Sequence, residues 1–218
     1  MAIVIIGGGR HAIVVRECLG TAAQHVVGIL DDGIEPGTTI GDLTVLGAVS
    51  ELPALRQSLP GLQGIVAIGD NHSRRQVAAR IEKLTPGFAW ACAVHERAIM
   101  SGTVRIGAGT VVAAGAILSC HVEIGAHVIV NTGSILDHDG LVSDFASIGP
   151  GVVTGGNVTI GACTHIGLGA VITHGVTIGD HSVIGGNSFV GRDISDHTVS
   201  YGNPARVIRP RNERDRYL

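Results

Sequence analysis

From Ile106 to Val190 the chain carries a large aliphatic residue at almost every sixth position. Ile106, Val112, Leu118, Ile124, Val130, Leu136, Val142, Ile148, Ile160, Ile166, Ile172, Ile178, Ile184 and Val190 hold the beat, and Thr154 is its one exception. A helix repeats its buried face every 3.6 residues and a strand every two, so this beat has to come from a repeat. Position one of each unit is a plug. Position two is Gly in nine of fifteen units, and position five is Ser, Thr, Ala or Val in thirteen. A plug, a glycine suited to a turn and a small filler predict short strands joined by corners, the grammar of a parallel β-helix. Three such strands close a triangular coil of eighteen residues. Fifteen units predict about five coils, each burying its plugs by stacking on its neighbours.

Residues 1–95 follow a different pattern. The runs AIVIIGGG, HVVGILDD, GIVAIGDN and FAWACAVH predict strands. HAIVVRECLG, stopped by Gly20, and HSRRQVAARIEKL predict helices. Strand–helix alternation implies a parallel sheet, here an α/β Rossmann-like domain. The expected organisation is therefore 1–95 Rossmann-like, 96–205 β-helix, and 206–218 an Arg-rich tail. The stretch from Ser195 to Ala205 breaks the beat and is expected to cap the prism. The tail is expected to be a solvated end, or else a source of arginine contacts to phosphate.

Composition narrows the function classes. Aromatics are 3% of the chain, so the core is built from Ile, Val, Leu and Ala. The formal net charge of -3 gives no reason to expect a nucleic-acid or anionic-membrane partner. Cys18, Cys92, Cys120 and Cys163 stand apart with no CxxC pair, which suits a reducing compartment and argues against a zinc site. No basic n-region precedes the short apolar run at the amino terminus, and no apolar stretch approaches the roughly 20 residues that span a bilayer. A cytoplasmic protein is the expectation.

The phase of the repeat places candidate chemistry. Positions one and five point inward, so His138, at position three of its unit, should point outward. Eighteen residues on, in the same column, stands Gly156; His174 follows another eighteen on, and Cys120 lies eighteen before. A histidine beside a side-chain-free position allows a ligand to approach the backbone, with the Gly156 N–H as a donor for an oxyanion. His121, His127, His165, His174 and His181 also lie in the repeat, at scattered phases that argue against a metal site, and are expected to be solvated or between subunits. At the amino terminus, Gly7-x-Gly9-x-x-Ala12 follows a strand and opens a helix, with Asp31 and Asp32 ending the next strand. That spacing fits a dinucleotide fingerprint or a plain strand-to-helix turn.

Taken together, the hexapeptide beat, GGGRH, LDD, AIGDN, VNTGSILDHD and the closing GNPAR resemble, in order along nearly the whole chain, the PglD/NeuD-like family. Its members are nucleotide-aminosugar N-acetyltransferases and sialic-acid O-acetyltransferases with a left-handed β-helix. The resemblance implies an acetyl-CoA-dependent, metal-free enzyme, a homotrimer with its active site between two subunits, acting on a 4-amino-4,6-dideoxyhexose nucleotide in bacterial surface-glycan synthesis. It implies His138 as general base, Asp139 as its orienting neighbour, and Gly156, Asn131 and Ser147 around the acetyl group. Family members often carry a second histidine where this chain has Ser147, and HDC where this chain has HDG. The amino-terminal half would hold the nucleotide sugar through Gly7, Gly9, Arg10, His11, Asp31, Asp32, Gly69, Asn71 and Arg74. The pantetheine arm would pass Gly156, Gly167 and Gly185, with Arg206 nearby. Three rivals remain: O-acetylation of a sialic-acid-like sugar, a non-catalytic nucleotide-binding scaffold, and, last, an NAD-linked oxidoreductase.

Overall fold

The structure, a computed structural model, describes residues 2–215 and residue 217; Met1, Arg216 and Leu218 lie outside it. The amino-terminal sheet contains β1 (Ile3–Ile6), β2 (Val26–Leu30), β3 (Thr39–Ile40), β4 (Leu43–Gly47), β5 (Gln63–Val66) and β6 (Ala89–Trp90), in the order β3-β4-β2-β1-β5-β6. Only the β3–β4 pair is antiparallel. Every residue of β1 is buried, as a central strand covered on both faces requires. Helices α1 (Arg10–Cys18), α2 (Leu52–Ser58) and α3 (Asn71–Leu84) accompany it. Asp70 starts α3 by accepting the Ser73 N–H at 2.8 Å. β3, β4 and α2, short and broken by Gly and Pro, are not among the elements the sequence pattern predicts, and that pattern predicts one strand over Phe88–His95. There are two: β6 closes the sheet, and Ala93–Val94 pairs with Val111–Val112 as the first rung of the prism.

The rest of the chain is the left-handed β-helix, a prism with three faces, and its rungs repeat every eighteen residues: Val111 pairs with Ile129, Ile129 with Ser147, Ser147 with His165, and His165 with Val183. The first face, here the seam face, lies under the α/β domain. Its outward Ala93 and Val111 belong to the same buried cluster as α1 and the sheet. The second face is apolar, with Ile99, Ile117, Ile135, Val153, Val171 and Phe189 in one outward column. The third is mostly polar, with Arg105, Glu123, Leu141, Thr159 and Thr177 in the equivalent column. Plugs and fillers form one continuous core. Each fully buried aliphatic side chain contributes about 1.5–3 kcal/mol.

Two expectations change. The permissive conformation is needed at position four of the repeat, not position two. His121, His127, Asp139, Phe145, Asn157, Cys163, His181 and Asn187 have φ between 52° and 60°, and Gly109, Gly115, Gly133, Gly151, Gly169 and Gly175 share that place. Position two favours Gly for a different reason: a Cβ on Gly107 would fall 2.5 Å from the Ala126 backbone nitrogen of the next coil. The second change concerns the tail. Ala205–Pro210 is a strand, antiparallel to Thr198–Gly202, which extends the seam face. Arg211 then turns inward and is buried, donating to the His181 carbonyl at 2.7 Å.

Candidate active site

His138 stands at the corner that follows the apolar-face strand Ile135–Leu136. Its ring lies where a Cβ on Gly156 would be, so a side chain at 156 would displace the imidazole. Thr154, the break in the hydrophobic beat, explains itself here: its hydroxyl accepts the Asp137 N–H at 3.2 Å, and Asp137 in turn accepts the His138 N–H at 2.8 Å. Asp139 adopts φ 56°, which folds its carboxylate back to 2.8 Å from His138 Nδ1. That hydrogen bond raises the His138 pKa and lowers that of Asp139. Nε2 is left as the free edge of the imidazole. Gly156 is buried beneath the ring, and its N–H takes no protein acceptor among the described residues. A basic nitrogen and an unsatisfied backbone donor therefore share one corner.

On the other edge of the apolar face lies a cleft of about 250 Å³ between the two domains. It is lined by His11 and Gly69 from the α/β domain and by Ile129, Asn131, Ser147, Gly149, Pro150, His165 and Leu168 from the prism. Asn131 Nδ2 donates to the Ile148 carbonyl at 3.0 Å. Ser147 Oγ lies 2.8 Å from His165 Nδ1. His11 Nε2 is enclosed with no partner, and burial, with Arg74 adding to it, pushes its pKa down to about 4. His138 and Gly156 do not line this cleft. Within one chain the structure thus separates the expected acetyl-region residues, with Gly156 at one corner and Asn131 and Ser147 at the other.

The seam explains two further residues and corrects their expected role. Arg74 is 1% exposed. Its Nε donates to the His127 carbonyl at 2.8 Å and Nη1 to those of Ile68 and Gly69 at 2.9 and 2.8 Å. Nη2 reaches Asn71 Oδ1 and the carbonyls of Phe145 and Ala146. Every donor of the guanidinium is used, so none remains for a phosphate. Burial lowers its pKa to about 10. Asn71 is fully buried and donates to the Cys163 and Thr164 carbonyls at 3.2 and 3.1 Å. Both residues lock α3 onto the prism turns rather than lining a ligand crevice.

The glycine turn is also partly satisfied from within. Gly7 has φ 102° and donates to the Leu30 carbonyl, and Gly8 N–H donates to Asp31 Oδ2 at 2.7 Å. Gly9 has open space around it, and Arg10 is exposed beside it at the start of α1. Asp31 and Asp32 border a recess of about 290 Å³. Asp32 is paired with Arg80, which lowers its pKa. The glycines expected beside pantetheine are required by stacking: a Cβ on Gly167 would meet the Gly186 nitrogen at 2.6 Å, and one on Gly185 the Tyr201 Cβ at 2.6 Å. Their missing side chains open no channel. Arg206 is exposed on the last strand.

Three histidines expected to be solvated or between subunits pack within the chain: His127, His165, and His181, which stacks on His197. His127 is buried between Trp90 and Phe145, with ring centroids 4.7 and 4.9 Å away. His165 lines the cleft and stacks on Tyr217 at 4.3 Å. The signal for His165 was present: it stands eighteen residues after Ser147, in the same outward column. Among the described residues no three His, Cys, Asp or Glu side chains converge as metal ligands, and no helix is long and apolar enough to cross a membrane.

Known proteins agree with this architecture. Residues 2–81 match the family described as the PglD N-terminal domain. A curated UDP-N-acetylbacillosamine N-acetyltransferase from Bacillus subtilis (strain 168) is 33% identical over 113 residues, 51% of each chain, so the match spans about half the length of that relative. A perosamine N-acetyltransferase from Caulobacter crescentus, a variant solved with CoA and GDP-perosamine, is 35% identical, with 95% of this chain and 97% of that one covered and a TM-score of 0.88. The acetyltransferase domain of PglB from Neisseria gonorrhoeae, solved with acetyl coenzyme A, is 33% identical over 95% and 98% of the two chains, with a TM-score of 0.83. The chain belongs to the PglD-like family of hexapeptide-repeat acetyltransferases.

Proposed function

We propose that this protein transfers the acetyl group of acetyl-CoA to the amine of a nucleotide-linked amino sugar, a 4-amino-4,6-dideoxyhexose, in bacterial surface-glycan synthesis. The observation that carries this is the His138 corner, where an imidazole held by Asp139 leans over an unsatisfied Gly156 N–H. The amine lone pair forms the C–N bond at the thioester carbonyl, and its proton passes to His138 Nε2. The charge gathering on the carbonyl oxygen is met by the Gly156 N–H. The C–S bond then breaks, and the leaving thiolate takes the proton back from the imidazolium. The ligands of the Caulobacter crescentus relative, CoA and GDP-perosamine, support both substrate classes.

The apolar column supports a homotrimer. Ile99, Ile135, Val153, Val171 and Phe189 are exposed in one stripe, a liability that a second copy would remove. The stripe separates the two half-sites, with the cleft before each of its strands and His138 after one of them. A threefold arrangement with this face toward the axis would bring His138 of one copy to the cleft of the next. In this reading Asn131 and Ser147 meet the acetyl region from the cleft side. Gly7, Gly9, Arg10, His11, Asp31, Asp32 and Gly69 hold the nucleotide sugar, and Arg206 is the candidate for CoA phosphate. The free cysteines fit a cytoplasmic setting.

Thiol release from acetyl-CoA, measured over UDP-, GDP- and dTDP-linked amino sugars with mass spectrometry of the product, tests the proposal. Turnover with at least one, and acetyl on the amine, is expected. Silence with every amino sugar, or acetyl on a hydroxyl, would overturn it.

A further inference from the structure

The cleft holds two imidazoles, and one of them sits in a set of contacts that nothing in the reaction above explains. His165 is fixed in three respects. Its plane is set by the Tyr217 ring, 4.3 Å away and 26° from parallel. Its Nδ1 is taken by Ser147 Oγ at 2.8 Å. Its charge is suppressed: burial, then Arg211 and Arg74, push its pKa down to about 4. Nε2 has no protein partner among the described residues and is not among the enclosed side-chain atoms, so it remains open to a ligand.

The Tyr217 oxygen accepts the Asn71 N–H at 2.8 Å, which fixes the ring that His165 stacks on. Ser147 Oγ, 2.8 Å from His165 Nδ1, is a hydroxyl able to give its proton to that nitrogen. A neutral imidazole that accepts at Nδ1 carries its proton at Nε2.

We propose that His165 is a substrate-contacting hydrogen-bond donor, held by Ser147 and Tyr217 as the neutral Nε2–H tautomer, for a hydroxyl or ring oxygen of the sugar in the cleft. The chemistry of the pocket agrees. Its walls are apolar at Ile129, Pro150 and Leu168, and its polar edges, His11, Asn131, Ser147 and His165, are all uncharged near neutral pH. Such a surface suits the hydroxyl and ring-oxygen side of the sugar, which needs donors and acceptors but no counter-ion. This inference rests on the nucleotide-sugar reading above.

The test has two arms. In the first, KM for the nucleotide sugar and for acetyl-CoA is measured for wild type, His165→Phe and His165→Gln. Phe keeps the stacked ring and loses the donor, so sugar KM should rise roughly 3–10-fold while acetyl-CoA KM stays put. Gln, whose amide reaches the Nε2 position, should recover most of the loss. The double variant Ser147→Ala with His165→Phe leaves no serine hydroxyl facing the apolar ring, and should raise sugar KM as much as His165→Phe alone. In the second arm, long-range nitrogen–proton NMR of the wild-type imidazole at pH 7 should place the proton on Nε2. An unmoved sugar KM in His165→Phe, an equal rise for acetyl-CoA, or a proton found on Nδ1 would overturn the proposal. Failure of wild type to turn over any nucleotide sugar would count against the reaction instead, and the NMR arm would still decide the tautomer.

Discussion

The seam around Arg74 and the corner around His138 are built on opposite terms. At the seam, one buried guanidinium commits every donor to backbone carbonyls from two prism turns and the loop after β5, and to the Asn71 side-chain oxygen. At the corner, a half-exposed imidazole is held by Asp139, its backbone N–H by Asp137, and its ring by the room a glycine leaves. The residue types at the seam look like ligand binders, yet they do architecture. The corner contributes little to the core and keeps a free ring edge and a free N–H. A charged side chain is available for chemistry only if the fold has not already used it.

Four substitutions separate the two regions. His138→Ala should lower kcat by roughly 10²–10⁴, with the melting temperature unchanged; an unchanged rate would remove the base from that corner. Arg74→Ala should do the reverse in kind, costing about 3–5 kcal/mol of stability by leaving buried carbonyls unpaired. Urea unfolding would read it, and a loss under about 1 kcal/mol would mean the seam is held mainly by apolar contact. Asp139→Asn keeps the shape of the corner and removes the charge that raises the His138 pKa. The acid limb of kcat/KM should shift to lower pH, with the rate falling by about tenfold as tautomer control weakens. His127→Phe should have the smallest effect. His127 is buried with Nδ1 unpaired, and burial, with Arg74 adding to it, holds its pKa at about 4, below its ordinary 6.5. A depressed histidine pKa means the unfolded chain binds the proton more readily, so stability is full above about 6.5 and falls as pH drops toward about 4. His11 and His165, also pushed to about 4, add to the same slope. Phe at position 127 should flatten part of it and leave activity intact.

The prism was legible because its grammar is one-dimensional: a plug, a corner and a filler, repeated until the coils stack. The same register places His138 and Gly156 in one column, eighteen residues apart. It misplaced the reason for the glycines, because a steric conflict with the next coil, as at Gly107, and a left-handed turn, as at Asp139, demand the same residue type. Arg74 and Asn71 were misread for a related reason. Their partners in the prism are backbone carbonyls 53 to 93 residues away, and a carbonyl leaves no mark in a sequence. Pairing between Ser147 and His165 was within reach, since the two differ by one coil. What hid it was the assumption that outward means solvated, while the α/β domain covers that face.

The corner and the cleft are proposed as two halves of one site, joined between copies of the chain. Subunits carrying His138→Ala and subunits carrying Leu168→Trp, which fills the cleft, should each be nearly inactive as homo-oligomers. After the two are mixed, dissociated and reassembled, the account predicts that thiol release returns, because a hybrid pairs an intact corner with an intact cleft. Mixed oligomers that form and stay inactive, or a wild-type monomer with full activity, would contradict it.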